Sequence, residues 1–247
     1  MTTSALSVQL YTLREDLARD LPGTLARLAG LGITHVEPFR LTEYAEALEP
    51  ALAATGLTAP TAHQHFLGTG RDREVFAAAA ALGVRTVIDP RVDPARWTSA
   101  AEVEAIADEL TAAAEAAASH GLRIGYHNHA EEMRPMNGST ALEVLAARLD
   151  PAVVLEVDTY WAAVGGQDPV ALLRRLGERV AAIHLKDGPA TPEVRDQVAV
   201  GSGPQPIPAI VDAAPHALRV VELDDTRGDR FQAVADSVAW LRAQGLA

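Results

Sequence analysis

The chain contains no cysteine among its 247 residues. A disulfide framework, a thiolate zinc site, an iron–sulfur cluster and a cysteine nucleophile are therefore excluded, and any bound metal has to be held by His, Asp, Glu or water. Aromatic residues make up only 4% of the chain, which disfavours an antiparallel β architecture built on aromatic side chains. Hydrophobic residues reach 48%, the usual share for a folded globular protein.

Positive charge is also scarce, since 21 Lys plus Arg face 33 Asp plus Glu and the net charge is −12. Such a charge repels phosphate backbones and no basic stripe offsets it, so we expect no nucleic-acid partner. The Ala-rich stretch 98–120 carries five acidic residues, so we expect no membrane partner. The opening MTTSALSVQLYTLRED lacks a basic region followed by a sustained apolar run, so we expect no secretory signal and a cytoplasmic protein.

Short apolar runs that end in polar residues alternate along the chain with helical patterns. The runs predict eight strands, near 7–11, 35–39, 58–65, 85–89, 122–127, 153–158, 181–185 and 218–223. The helical patterns predict eight helices, near 21–31, 43–55, 73–82, 100–120, 140–149, 169–176, 207–214 and 231–244.

Glycines and capping residues mark the boundaries of these elements. Gly32, Gly56, Gly83 and Gly121 each stand between a helical segment and an apolar strand, where a glycine lets the chain leave the helix. Helix starts are predicted by Ser99 with Glu102, by Thr140 with Glu143 and by Asp168 before Pro169, which match the spacings of capping boxes and first-turn prolines.

Strands joined by helical crossovers pair in parallel, and eight of them in about 250 residues are enough to close a (β/α)8 barrel. The alternative is an open doubly wound sheet. No G-x-G-x-x-G follows a strand and no change of composition marks a boundary, so we expect one barrel domain over residues 1–247.

Polar residues stand at the predicted carboxyl ends of the strands, where a barrel of this kind carries its active site. They are Glu37, His63, His65, Asp89, His127, His129, Asp158, His184 and Glu222. Any one of them could simply bond a loop backbone. His127, Asp158, His184 and Glu222, however, come from four consecutive strands, and imidazole and carboxylate ligands without thiolate suit Mn, Co, Zn or Mg. The alternative is a metal-free cluster with shifted pKa values.

Other segments allow two interpretations each. Lys186 could contact a substrate oxyanion or form a surface ion pair, and Trp161 could face a sugar ring or pack over the barrel rim. The run 200–204 could wrap a ligand with backbone amides or be a plain flexible loop. Asp224 and Asp225 are expected on a solvated face.

The chain resembles the sugar phosphate isomerase/epimerase family of xylose isomerase-like barrels, near its inosose dehydratase and ketose 3-epimerase branches. The resemblance is carried by SVQLYTLRED, GYHNHAEEM, LEVDTYWAAVGGQDP, AAIHLKD, VGSGP, VVELDD and SVAWLR, and covers nearly the whole chain. HNH, EVDTYW and HLKD in this order are specific for the family but not for one reaction within it.

The resemblance implies a divalent metal, often Mn, bound by Asp158, His184 and Glu222. Ketose epimerases of the family carry a Glu at the end of the fifth strand that is both ligand and base. The matching position here is His127, with Glu132 a few residues later. The fourth ligand is therefore His127 or Glu132, and the two-glutamate proton transfer of the epimerases does not carry over directly.

These residues predict an enzyme that acts on a small polyhydroxy ketone by α-proton abstraction and a metal-stabilised enediolate. Glu222 or Glu132 would be the base, and His127 would complete the catalytic site. The substrate would be bound by His63, His65, His129, Trp161 and Lys186. Return of the proton would give isomerisation or epimerisation, whereas loss of a β-substituent would make the protein a lyase.

Two further classes remain open, namely a metal-dependent hydrolase and a sugar-binding barrel without catalysis. The expected partner in each case is a small carbohydrate. The resemblance also raises the expectation of a homo-oligomer, for which the residues themselves give no sign.

Overall fold

A computed structural model describes residues 6–247 of the chain. Residues 1–5, on which the expectation of no secretory signal partly rests, lie outside the described residues. The strands are β1 Leu6–Gln9, β2 His35–Glu37, β3 Thr61–His63, β4 Thr86–Asp89, β5 Arg123–His127, β6 Pro135–Met136, β7 Ser139–Thr140, β8 Val154–Asp158, β9 Val180–Leu185 and β10 Leu218–Val221.

Helices follow the strands. They are α1 Arg14–Gly30, α2 Leu41–Thr55, α3 Asp72–Ala81, α4 Ala100–Ala118, α5 Ala141–Arg148, α6 Thr159–Val164, α7 Pro169–Leu176, α8 Ile207–Ala213 and α9 Arg230–Ala243. Short 3-10 helices cover Leu10–Leu13, Pro94–Thr98, Glu131–Met133, Gly177–Arg179 and Val194–Asp196.

Eight parallel strands form one sheet in the order β2-β1-β10-β9-β8-β5-β4-β3. Single-residue bridges from His35 to Thr58 and from Phe39 to His63 join the two outer strands. The sheet is therefore a nearly closed barrel with helices between its strands, and the prediction of a (β/α)8 barrel rather than an open sheet is confirmed.

The structure differs from the predicted elements at several points, and helix α6, directly after β8, is one element that was not predicted. The hairpin of β6 and β7 was not predicted, and it closes through Asn137 and Gly138, which both have positive φ, as a tight hairpin turn requires. Helix α1 begins at Arg14 rather than near residue 21, with a break at Asp20. Asp20 caps the second half by accepting a hydrogen bond from the Gly23 N–H at 2.9 Å, so the predicted helix is that second half.

The predicted boundary signals are confirmed. Gly32, Gly56, Gly83 and Gly121 all have φ between 70° and 75°, a left-handed conformation that costs glycine least. Thr140 and Glu143 form both hydrogen bonds of a capping box. Ser99 and Asp168 cap α4 and α7 through their side chains.

Almost all residues of the eight barrel strands are buried, and the core helices pack around them. Parallel strands covered on both faces are expected to be apolar throughout. The polar residues that interrupt these strands are therefore the informative ones. Among residues 6–247, no helix combines the length and apolar character needed to cross a membrane.

Candidate metal centre and active-site cleft

The strand pleat places polar side chains in two layers inside the barrel. Glu156 and Asp158 are two residues apart on β8, so their side chains point to the same side. His127 of β5 is in register with Glu156, and His184 of β9 is in register with Asp158. All four residues are at most 2% exposed. His127 and Glu156 therefore form one layer of buried polar groups, and Asp158 and His184 form the next layer toward the carboxyl ends of the strands.

The outer cluster consists of His127, Asp158, His184 and Glu222, the four residues predicted as metal ligands. His184 Nδ1 lies 2.6 Å from Glu222 Oε2, and His127 Nε2 lies 3.7 Å from Asp158 Oδ2. One ligand atom each of Asp158, His184 and Glu222 lie within 4.8 Å of one another. The structure thus brings the four predicted residues together.

The donor set of the outer cluster fits a divalent cation. Asp158 Oδ1 accepts a hydrogen bond from the Trp161 N–H at 2.8 Å, and the buried Oδ2 is paired with the Lys186 Nζ at 2.9 Å. Two carboxylates and two imidazoles on a rigid barrel match the ligands preferred by Mn, Co or Zn. A buried His/Glu/Asp cluster able to bind a metal is therefore present.

The inner cluster, composed of His63, His127, Glu156 and His184, lies one layer deeper. Glu156 Oε2 lies 3.1 Å from His127 Nδ1 and 3.0 Å from His184 Nε2, and it also contacts His63 Nε2. Glu37 adds a second carboxylate, with Oε1 2.8 Å from His184 Nε2. Sequence reasoning missed Glu156, although a Glu two residues before Asp158 in the apolar run VVLEVD indicates an inward position.

Opposite charges stabilise the ionised forms of Glu222 and His184. Burial alone would raise the pKa of the Glu222 carboxyl, but Lys186 and His184 lower it well below its ordinary value. Burial alone would lower the pKa of His184, but Glu156 and Glu222 raise it well above its ordinary value. The Glu222 carboxylate is therefore a charged acceptor at neutral pH.

Lys186 is the only lysine of the chain, among 21 Lys plus Arg. Its side chain is 1% exposed, and its Nζ lies 2.9 Å from Asp158 Oδ2 and 2.8 Å from Glu222 Oε2 and Asp224 Oδ2. The alternative of a surface ion pair is therefore wrong. Asp224 also accepts hydrogen bonds from Trp161 and Gln197, so it is part of the site rather than of a purely solvated face.

Glu132 occupies a different position from the outer cluster. Its Oε1 accepts a hydrogen bond from the Tyr126 hydroxyl at 2.5 Å, and its Oε2 accepts one from the His129 N–H at 2.8 Å. Burial raises the pKa of Glu132 to about 7. Both oxygens are thus engaged in holding the loop that presents His129.

A cleft of about 960 Å³ opens above the carboxyl ends of the strands. The predicted residues that line it are His63, His65, His127, His129, Trp161 and Glu222. His65 Nδ1 lies 3.0 Å from Asp89 Oδ1, which orients its half-exposed ring. Burial and the Lys186 charge lower the pKa of His129 to about 4, so its imidazole is neutral at ordinary pH.

The loop 200–204 is held from inside by Asp187. Asp187 Oδ2 accepts hydrogen bonds from the Gly201 and Gly203 N–H groups at 2.9 and 3.0 Å. Oδ1 accepts two more, from Gly188 at 2.8 Å and Gln205 at 3.0 Å. The amides that could have wrapped a ligand therefore bind a carboxylate of the protein itself.

The chain is similar to known proteins over most of its length. Residues 25–244 match a protein-family model described as a xylose isomerase-like TIM barrel. An inosose dehydratase from Geobacillus kaustophilus (strain HTA426) is 33% identical over 117 residues, which are 45% of this chain and 37% of that protein. The match therefore spans little more than a third of the relative's length.

Two solved structures share the fold over nearly their whole length. A sugar phosphate isomerase/epimerase from Parabacteroides distasonis ATCC 8503 has a TM-score of 0.83 at 25% identity, over 100% of this chain and 96% of that one. The IOLI protein, solved with a bound zinc atom, has a TM-score of 0.71 at 14% identity, over 97% of this chain and 95% of that one. The latter likeness concerns the fold alone.

Proposed function

This chain belongs to the xylose isomerase-like TIM barrel family, and from that premise we propose that it is a metal-dependent isomerase or epimerase of a small keto-sugar. The observation that carries the proposal is the outer cluster. Two imidazoles and two carboxylates converge beneath a cleft whose wall includes Glu222, His63 and His129. Such a cluster suits a substrate that offers two adjacent oxygens, as a hydroxy ketone does.

The divalent metal would be held by the outer cluster of His127, Asp158, His184 and Glu222. Among the ions that suit this donor set, we choose Mn. When bound, the metal supplies a Lewis acid that polarises the carbonyl and stabilises an enediolate. The chain's own residues would have to orient the substrate, take the α-proton and return it. The roles below follow from where each side chain lies.

Glu222 is our candidate for the base. It borders the cleft, and Lys186 and His184 keep its carboxyl ionised by lowering its pKa. The C–H electron pair of the substrate would become the enediolate π bond while the proton passes to the carboxylate. Return of that proton to the neighbouring carbon would give isomerisation, whereas epimerisation would need a second acid that protonates the opposite face of the enediolate.

The cleft around Glu222 is lined by His63, His65, His129 and Trp161. These side chains would bind substrate hydroxyls or cover the sugar ring. The Nδ1 atom of His129 is buried and has no hydrogen-bond partner among the described residues, so it is free to bond a substrate oxygen. Lys186 would act as the buried counter-ion of Asp158 and Glu222. Glu132 would position His129 rather than take the proton.

A dehydratase reaction is the second candidate, and the similarity to an inosose dehydratase favours it. Enolisation would be the same, but a β-hydroxyl would leave with its bonding electrons and a proton. Burial alone would lower the pKa of His63, whereas Glu37 and Glu156 raise it above its ordinary value. His63 would therefore be the acid that protonates the leaving oxygen.

The test is an NMR assay in deuterated water with keto-sugars, inososes and 3-keto-glycosides, using protein loaded with Mn²⁺ and protein stripped of metal. We expect the loaded protein to exchange an α-hydrogen of the converted substrate for deuterium. A changed sugar configuration or carbonyl position would identify an epimerase or isomerase, and release of water would identify a dehydratase. Conversion without α-exchange in any substrate would refute the enolisation mechanism.

The same preparations distinguish the remaining classes. Two or three bound metal ions per chain with hydrolysis of the substrate would indicate a hydrolase. Tight sugar binding without turnover, unchanged by Glu222→Gln, would indicate a binding protein.

A further inference from the structure

We propose that the inner cluster of His63, His127, Glu156 and His184 is a transition-metal site in its own right, and that it competes with the outer cluster for the same two imidazoles. The ion it would take is a nitrogen-preferring divalent metal such as Zn²⁺ or Co²⁺. The proposal concerns which ion binds where, so it does not depend on the sugar chemistry proposed above.

The ligand atoms of the inner cluster are close enough together to contact one ion. One ligand atom from each of the four residues lies within 4.8 Å of the others. Zn–N and Zn–O bonds of about 2.0–2.2 Å place tetrahedral ligands roughly 3.3–3.6 Å apart. Glu156 Oε2 already lies 3.1 Å from His127 Nδ1 and 3.0 Å from His184 Nε2. These two separations are slightly shorter than those between ligands of one zinc ion.

The donor chemistry separates the two clusters. The inner cluster offers three imidazoles and one carboxylate, whereas the outer cluster offers two of each. Imidazole-rich sites favour Zn, Co, Ni or Cu, while carboxylate oxygens favour Mn and Mg. The two positions would therefore select different metals.

His127 and His184 each turn one ring nitrogen to each cluster. His127 has Nδ1 toward Glu156 and Nε2 toward Asp158. His184 has Nε2 toward Glu156 and Nδ1 toward Glu222. A neutral imidazole has only one nitrogen with a free lone pair, because the other carries a proton. A metal in one cluster therefore leaves only N–H donors facing the other, and both cannot be filled together.

Buried negative charge supplies a reason for a cation in the inner cluster. Glu37 and Glu156 are 0% and 1% exposed, and Oε2 of Glu37 and Oε1 of Glu156 have no hydrogen-bond partner among residues 6–247. Buried carboxylates need compensation. Glu37 is held by Gln9 Nε2 at 2.7 Å and lies 2.8 Å from His184 Nε2, so it would orient an inner ligand or become a fifth one.

The outer carboxylates have a replacement cation when the ion is in the inner cluster. Lys186 Nζ lies within 2.9 Å of Asp158 Oδ2 and 2.8 Å of Glu222 Oε2. Its ammonium would offset part of their negative charge without a metal. An ion can reach the inner cluster from the cleft, since His63 and His127 line it.

The experiment uses the full-length chain stripped of metal with a chelator, then titrated with Co²⁺, Zn²⁺ or Mn²⁺. Visible absorption of Co²⁺ reports tetrahedral ligation, electron paramagnetic resonance counts free Mn²⁺, and elemental analysis gives the stoichiometry. His63 belongs only to the inner cluster and Asp158 only to the outer one, so His63→Gln and Asp158→Asn are the matched variants. Circular dichroism and thermal unfolding verify that each variant folds.

We expect one ion per chain, with Zn²⁺ displacing bound Mn²⁺. Removing a supporting partner of a ligand already costs about 10–100-fold in metal affinity. H63Q should therefore lose the intense Co²⁺ band and at least that much Zn²⁺ affinity while keeping Mn²⁺ binding. D158N should lose Mn²⁺ binding and keep the Co²⁺ band.

Simultaneous binding of two ions, or Zn²⁺ affinity that depends on Asp158 and not on His63, would overturn the proposal. That outcome would leave Mn²⁺-dependent hydrogen exchange intact. Failure of the proposed enzyme function would instead remove the exchange and leave the Co²⁺ spectra unchanged, so the two failures are distinguishable.

Discussion

The Nδ1 atom of His184 lies 2.6 Å from the Oε2 atom of Glu222, and the two residues are 38 positions apart in the chain. Strands β9 and β10 are adjacent in the barrel, which brings the two side chains to one mouth. The contact means that removal of the Glu222 charge affects both the candidate metal centre and the proposed base.

Glu222→Gln keeps the shape of the side chain and removes its charge. We expect α-hydrogen exchange to fall by about a hundredfold or more, which is the usual contribution of a general base. The measurement is NMR exchange in deuterated water with Mn²⁺ at saturation. Glu178→Gln is the control, since the Glu178 side chain is 94% exposed. Exchange in E222Q as fast as in the parent protein would contradict the assignment.

Lys186→Met removes the ammonium that lies between three carboxylates. Leaving buried charge uncompensated typically costs about 3–5 kcal/mol, so we expect the free energy of unfolding to fall by that order in metal-free protein. Saturating Mn²⁺ should recover part of the loss by neutralising Asp158 and Glu222. Urea denaturation with and without Mn²⁺ measures both effects.

The control for the Lys186 variant is Arg195→Met, which removes a cation that is 57% exposed beside Glu193. Little change is expected there. If K186M were as stable as the parent protein and indifferent to Mn²⁺, the ammonium would not have the role assigned to it.

Glu132→Gln tests positioning against base catalysis. An amide can still accept from the His129 N–H and bond the Tyr126 hydroxyl. We expect the exchange rate to fall by less than about tenfold, compared with about a hundredfold for loss of a base. Glu131→Gln is the matched control, because Glu131 lines the cleft beside it and pairs with Arg91 at 3.8 Å.

Glu132→Gln should also change how the free energy of unfolding depends on pH. Burial raises the pKa of Glu132 from 4.5 to about 7, so the folded protein holds this proton more tightly than the unfolded chain. The stabilisation, about 3 kcal/mol from this group, is complete below pH 4.5 and is lost as the pH rises through 7. Urea denaturation should show a smaller loss of stability over this range in E132Q. Identical pH profiles would refute the buried, protonated state.

Asp187→Asn tests how the loop 200–204 is held. Two backbone N–H groups donate to each Asp187 oxygen, so either orientation of an Asn turns an NH₂ group toward two donors. Charged hydrogen bonds contribute about 1.5–3 kcal/mol each, and we expect a loss of about 3 kcal/mol or more with faster proteolysis of the loop. Asp212→Asn, on an exposed position of α8, is the control. Unchanged proteolysis would show that the loop is held otherwise.

Prediction from sequence succeeded where the signal was local. Glycines 32, 56, 83 and 121 take the left-handed conformation that their positions required, and Thr140 with Glu143 forms the capping box that their spacing indicated. The start of α1 was missed because its kink depends on Asp20 capping Gly23. Periodicity alone does not distinguish a kinked helix from a loop followed by a helix.

The sequence by itself determined the barrel and the residues at its mouth, because strand period, helix ends and chain order follow from local side-chain preferences. The order of residues along the chain placed His127, Asp158, His184 and Glu222 at the ends of four consecutive strands. Only the tertiary structure decided that Glu156 lies beneath them, that Lys186 is shared by three carboxylates and that both oxygens of Glu132 are engaged. The orientation of each imidazole depends on partners from distant strands, and those distances exist only once the barrel has closed.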